Sequence, residues 1–209
     1  MIGIIDYGMG NLHSVQNALR RLEIEYFLSE NKEELAKADA LLLPGVGAFK
    51  DAMHALRKDG MDEFIVTSVQ ERKPILGICL GMQLLFEEGE EHGLTKGLNL
   101  LPGRVVHIPG TTIDGLSYKV PHMGWNELII HNPEAQLLSN LSANHVYFVH
   151  SYFVKTEDRN VLLASADYYE EVPAVVGKDH IFGTQFHPEK SGDAGLEMLR
   201  NFANYVRER

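Results

Sequence analysis

The chain has 209 residues, 44% hydrophobic and 23% charged, the balance of a globular protein with one substantial core. A formal net charge of -10 argues against nucleic acid or an anionic membrane surface as the main partner. One cysteine cannot form an internal disulfide and suits a reducing cytoplasm, no apolar run approaches the roughly 20 residues that span a bilayer, and the N-terminus lacks the basic and apolar regions of a signal peptide.

In chain order, the apolar run Ile2 to Ile5 predicts a strand, the turn Asp6 to Asn11 follows, and Leu12, Val15, Leu19 and Leu22 have helical spacing. Gly8 and Gly10 hint at a dinucleotide fingerprint, but His13 stands at the third glycine position, so a tight loop is the better reading. A strand over Glu25 to Leu28, a short helix over Asn31 to Ala38 and a fully apolar strand over Ala40 to Leu43 come next. Strands without alternation, separated by helices, indicate a parallel sheet covered on both faces. Pro44-Gly45-Val46-Gly47 then leads into a helix around Ala48 to Leu56. It reads either as a glycine-rich connection or as a loop whose backbone N–H groups face an anion. A helix over Met61 to Gln70 precedes the stretch Pro74 to Gln83.

That stretch carries the only cysteine. Ile75 to Ile78 predicts a buried strand and Gly81 to Glu88 a helix, so Cys79 stands on the turn between them, flanked by Gly77 and Gly81. This is the layout of a nucleophile elbow with Cys in place of Ser. Glycines on both sides let the sharp turn close without side-chain collisions, and the helix dipole favours the thiolate. The plain alternative is a small core residue. Beyond it, Glu87 to Gly93 forms an acidic exit and reads as a solvated face. From Leu100 onward, short runs at Arg104–His107, Leu128–Ile130, Val146–Val149, Tyr152–Lys155, Val161–Ala164, Val172–Val176 and Ile181–Phe186 predict strands joined by turns, among them a hairpin at Gly177-Lys178-Asp179. Ala194 to Arg207 predicts a closing helix. The expected fold class is α/β: a single three-layer domain over residues 1–209, with an open, mostly parallel, flavodoxin-like sheet and an antiparallel extension.

A thiol nucleophile needs a base, and the base needs an orienting group. Of ten histidines, His187 is favoured because it ends the strand Ile181 to Phe186 and precedes Pro188-Glu189. Loops at strand C-termini share one crevice of an open sheet, and Cys79 lies at such an end. The order Cys, His, Glu differs from that of the α/β-hydrolases. A turn-forming proline at a polar strand end is the competing explanation. His122, His145 and His150 read as hydrogen-bonded strand or turn residues, and no spacing suggests a metal site.

Gly77-Ile78-Cys79-Leu80-Gly81-Met82-Gln83 with His187-Pro188-Glu189 closely resembles the class I (triad) glutamine amidotransferases, over essentially the whole chain and with no departure from their catalytic pattern. The resemblance implies hydrolysis of L-glutamine to glutamate and ammonia through a Cys79 glutamyl thioester. It implies His187 as base, Glu189 as orienting group and no cofactor. The oxyanion is then held by the N–H of Leu80 and one near Val46 or Gly47. Glutamine is held through Gln83, the Gly45–Val46 backbone and the Ser151–Tyr152 strand, with Glu91 for the α-amino group. Asp6 to Asn11 and Pro121 to Asn126 further resemble the members that pass ammonia to a (β/α)₈ cyclase of histidine biosynthesis as a heterodimer. That places Trp125, after a Met-Gly turn, and Asn11 at the partner interface. Ammonia free in water is mostly protonated and no longer nucleophilic, which is why a partner is implied. The alternatives are a paralogue feeding another acceptor such as a sugar-modifying enzyme, a non-catalytic binding subunit, and a general thiol hydrolase.

Overall fold

The computed structural model describes residues 1–209. Five strands form a parallel core: β1 (Ile2–Ile5), β2 (Tyr26–Ser29), β3 (Ala40–Gly45), β4 (Ile75–Cys79) and, from near the other end of the chain, β5 (Ile181–Thr184), in the order β2-β1-β3-β4-β5. The same sheet continues antiparallel through β6 (Glu171–Lys178), β7 (Leu162–Asp167) and β8 (Ile129–Ile130). The expected hairpin joins β6 to β5 and turns through Asp179, whose φ is 56°.

Alternate residues of each core strand serve opposite faces. Ile2, Ile4, Ala40, Leu42, Leu76 and Ile78 pack on one side with Val15 and Leu19 of α1 (Leu12–Arg21) and with Met198, Leu199 and Phe202 of α2 (Gly192–Arg207). Ile5, Leu41, Leu43 and Ile75 pack on the other with α3 (Phe49–Lys58) and α4 (Met61–Gln70). Both faces are therefore sealed, each buried Leu or Ile contributing about 1.5–3 kcal/mol, and three layers result. The short helix is Lys32–Leu35, with the Asn31 side chain accepting from the Glu34 N–H at 2.9 Å as its N-cap.

Three expectations fail locally. The helix after Cys79 covers only Leu80–Leu84, and Phe86–Gly89 is a strand. The returning segment decides this: Leu98 N–H donates to the Leu84 carbonyl at 2.8 Å, Leu100 and Leu101 donate to Leu85, and Asn99 donates to Phe86. Carbonyls engaged by a distant segment cannot continue a helix. Phe86–Gly89 pairs with Leu101–His107, which pairs in turn with Tyr152–Lys155, as a second small sheet. Likewise, Met123-Gly124 is no turn. It lies inside the strand His122–Glu127, which pairs antiparallel with His145–His150 as a two-stranded ribbon. The strand expected to reach Phe186 stops at Thr184.

Candidate active site

The parallel strands bring the predicted elbow to the sheet's C-terminal edge, with Cys79 level with Gly45 of β3. Cys79 adopts φ 55° and ψ -111°, a conformation that costs a non-glycine residue about 1–3 kcal/mol. Its two glycines are required by backbone, as expected. A Cβ on Gly81 would lie 1.8 Å from the Leu43 carbonyl oxygen, and one on Gly77 would lie 2.6 Å from the Gly81 oxygen. The strain is held because β3, β4 and the following turn of helix interlock this closely.

His187 follows β5, the parallel neighbour of β4, so its ring reaches Cys79. Its Nδ1 stands 2.8 Å from the Glu189 Oε1, and both side chains are sealed, at 4% and 1% exposure. The nitrogen left for the sulfur is therefore Nε2. Burial by itself would lower the His187 pKa. Hydrogen bonds to Cys79 and Glu189, and the negative charge of both, outweigh burial and raise it to about 9. A pKa of about 9 keeps the ring protonated at neutral pH, with Glu189 against Nδ1 and Cys79 within reach of the other nitrogen.

A cavity of about 380 Å³ opens over this pair. Of the residues expected around glutamine and the oxyanion, Val46, Gly47, Leu80, Gln83, Glu91, Ser151 and Tyr152 all line it. Gly47 has φ 104° at the foot of the loop, and Val46 is 41% exposed. Gly45 lies in β3 beneath the elbow, and Glu189 stands behind His187. Gln83 is committed on its amide nitrogen, which donates to the Tyr152 carbonyl at 2.9 Å and to the Gln185 Oε1 at 3.0 Å. Glu91 is no simple solvated residue: its Oε2 accepts from the Phe49 N–H at 2.7 Å and caps α3. Asn11 precedes α1 without capping it through its side chain. Trp125 lies outside the cavity, 59% exposed and edge-on to Tyr147. No group of three or more His, Cys, Asp or Glu side chains is placed to hold a metal ion.

Two residues around the site take on more than the sequence suggests: Gln185, which it leaves without a role, and His150, expected as a hydrogen-bonded strand or turn residue and found as one. Gln185 is fully buried, and its Nε2 points at the Cys79 Sγ from 3.9 Å. In extended backbone, positions 185 and 187 share a face, a signal that was available. His150 lines the cavity and is hydrogen-bonded to His122 at 3.0 Å. Burial lowers the His122 pKa to about 4. The His150 pKa falls to about 3, through burial first and the neighbouring His122 second.

Residues 3–205 match the family of glutamine amidotransferase class-I. The chain is 61% identical over 206 residues to the imidazole glycerol phosphate synthase subunit HisH of Geobacillus sp. (strain WCH70), covering 99% of this chain and 97% of the relative. It is 53% identical over 208 residues to the protein of that name from Bacillus subtilis (strain 168), covering 100% and 98%. A solved structure described as a glutamine amidotransferase superposes with a TM-score of 0.76 at 21% identity, covering 100% of this chain and 99% of that one, a likeness of fold.

Proposed function

The chain belongs to the class-I glutamine amidotransferases, and on that premise we propose that it is the glutaminase subunit of an imidazole glycerol phosphate synthase, working in the cytoplasm with a (β/α)₈ cyclase subunit. The observation that carries the catalytic part is the strained Cys79 elbow with the His187–Glu189 pair sealed behind it in one cavity.

The Cys79 thiolate attacks the side-chain amide carbon of L-glutamine, forming a C–S bond while the carbonyl electrons move to oxygen. The N–H groups of Leu80 and of Val46 or Gly47 hold that oxyanion, one such donor being worth about 10²–10³ in rate. His187, already protonated, gives its Nε2 proton to the departing nitrogen, and ammonia leaves as the thioester forms. Neutral His187 then takes a proton from water, whose oxygen attacks the thioester and releases glutamate. Glu189 keeps the Nδ1 proton facing away from the sulfur throughout. The free Glu91 oxygen and Ser151–Tyr152 bind the amino-acid end of glutamine. Trp125, exposed on its strand, and Asn11 meet the cyclase, an aromatic anchor being a common centre of such interfaces. Ammonia passes to that subunit.

Cys79→Ala in the reconstituted complex is expected to abolish imidazole glycerol phosphate formation from glutamine and to retain it from ammonium salts. Turnover of glutamine by the variant sinks the nucleophile assignment. Failure of the unsubstituted chain to support the glutamine-dependent reaction with a cyclase that turns over with ammonium salts sinks the assignment to this synthase.

A further inference from the structure

Hydrogen bonds around the cavity join into one line. On the ribbon strand His122–Glu127, the Asn126 Nδ2 lies 3.3 Å from the His122 Nε2. His122 Nδ1 lies 3.0 Å from His150 Nε2, and His150 Nδ1 lies 2.9 Å from the Tyr152 carbonyl. That carbonyl also accepts from Gln83, which donates to Gln185, which donates to the Cys79 sulfur. Only one placement of protons fits. A carbonyl only accepts, so His150 Nδ1 carries the hydrogen, and a neutral His150 then offers Nε2 as acceptor. His122 must donate from Nδ1 and accept at Nε2 from the Asn126 amide. Both rings are neutral because burial disfavours their charged forms. The His122 ring is also clamped, stacked on Phe148 at 4.4 Å and on Tyr168 at 3.9 Å between centroids.

The strand that carries the outer end of this line also carries an exposed face. Along His122–Glu127 the side chains alternate: His122 and Asn126 share the inward side, while Met123 and Trp125 are 60% and 59% exposed on the other. A shift of this strand cannot be absorbed along the line without leaving a buried donor or acceptor unpaired. We propose that His122, His150 and Gln185 are positioning residues that hold the Cys79 sulfur and couple it to the Trp125-bearing strand. The proposal rests on the glutaminase reading for its biological meaning, since that strand is where the cyclase would dock.

The test uses the full chain, in which Cys79 is the only cysteine and iodoacetamide therefore reports on that sulfur alone. Alkylation rates are measured from pH 6 to 10 for His122→Phe, which keeps the stacking and loses the hydrogen bonds, for Gln185→Leu, and for the double variant. Each single change is expected to alter the rate or its pH profile by about fivefold. The double variant should match the larger single effect, because one broken line cannot be broken twice. His122→Asn, whose amide nitrogen overlays Nδ1, should restore the unsubstituted profile. Unsubstituted profiles in both single variants, or a double effect equal to the product of the two, would overturn the relay. If His122→Phe melts early, Asn126→Leu cuts the line at its half-exposed end and is judged by the same outcomes. Alkylation needs no glutamine turnover, so failure of the glutaminase reading leaves this result legible.

Discussion

His187 and His150 line the same cavity and are held in opposite states. His187 is an imidazolium with its pKa raised to about 9, whereas His150 is neutral with its pKa lowered to about 3. Burial penalises the charged ring in both places. The difference comes from what surrounds each ring: His187 has the Glu189 carboxylate on Nδ1 and Cys79 close enough to favour its charged form, while His150 has a carbonyl and a second neutral histidine. The contrast separates two kinds of work in one pocket. The charged ring can deliver a proton, and the neutral one can only hold position.

The largest break in that contrast is expected from Glu189→Gln, which keeps an acceptor for Nδ1 and removes the charge. The His187 pKa should fall from about 9 toward its ordinary 6.5 in an NMR titration, and glutaminase activity should drop by about 10⁴-fold, the loss known for an acid-to-amide change in a catalytic triad. An unmoved titration would mean that the sulfur alone holds the imidazolium. A smaller effect is expected in stability against pH, where the two sites act at opposite ends. His187 binds its proton more tightly folded than unfolded, so its contribution is fully present below pH 6.5 and is lost as pH rises through about 9. His122 and His150 bind theirs less tightly folded, so their neutral state costs nothing above pH 6.5 and destabilises the fold as pH falls toward 4 and 3. Melting curves across pH should show the alkaline loss vanish in His187→Gln and the acid loss persist. The smallest effect on the fold is expected from Trp125→Ala, which leaves both histidine sites alone. Thermal stability should change by no more than about 0.5 kcal/mol, while titration with the cyclase weakens by about tenfold or more. A destabilised variant with unchanged association would make Trp125 a packing residue.

The parallel half was legible because its strands are short, mostly apolar runs bounded by turns, and because buried parallel strands have few other ways to read. Phe86–Gly89 was not, since Met82, Leu84, Leu85 and Phe86 fit a helix as well as a helix followed by a strand. The backbone of Leu98–Leu101 settles it from beyond the local window. Cys79, His187 and Glu189 were legible through the glycines around one and the proline between the others. The sequence shows His150 as a hydrogen-bonded strand residue but not its place in the cavity, and it gives Gln185 no role, because an amide is ordinary until a partner stands opposite.

By itself, then, the sequence determined the α/β layering, the elbow and its glycines, and the identity of a thiol, an imidazole and a carboxylate with the means to act together. These depend on local stereochemistry and on hydrophobic pattern, which the chain carries at every position. Tertiary structure alone decided which histidine is charged, which way the protons point from Asn126 to Gln185, and that Glu91 caps α3 while facing the cavity. Protonation and hydrogen-bond direction depend on the groups a fold brings within about 3 Å, and those groups here come from segments far apart in the chain.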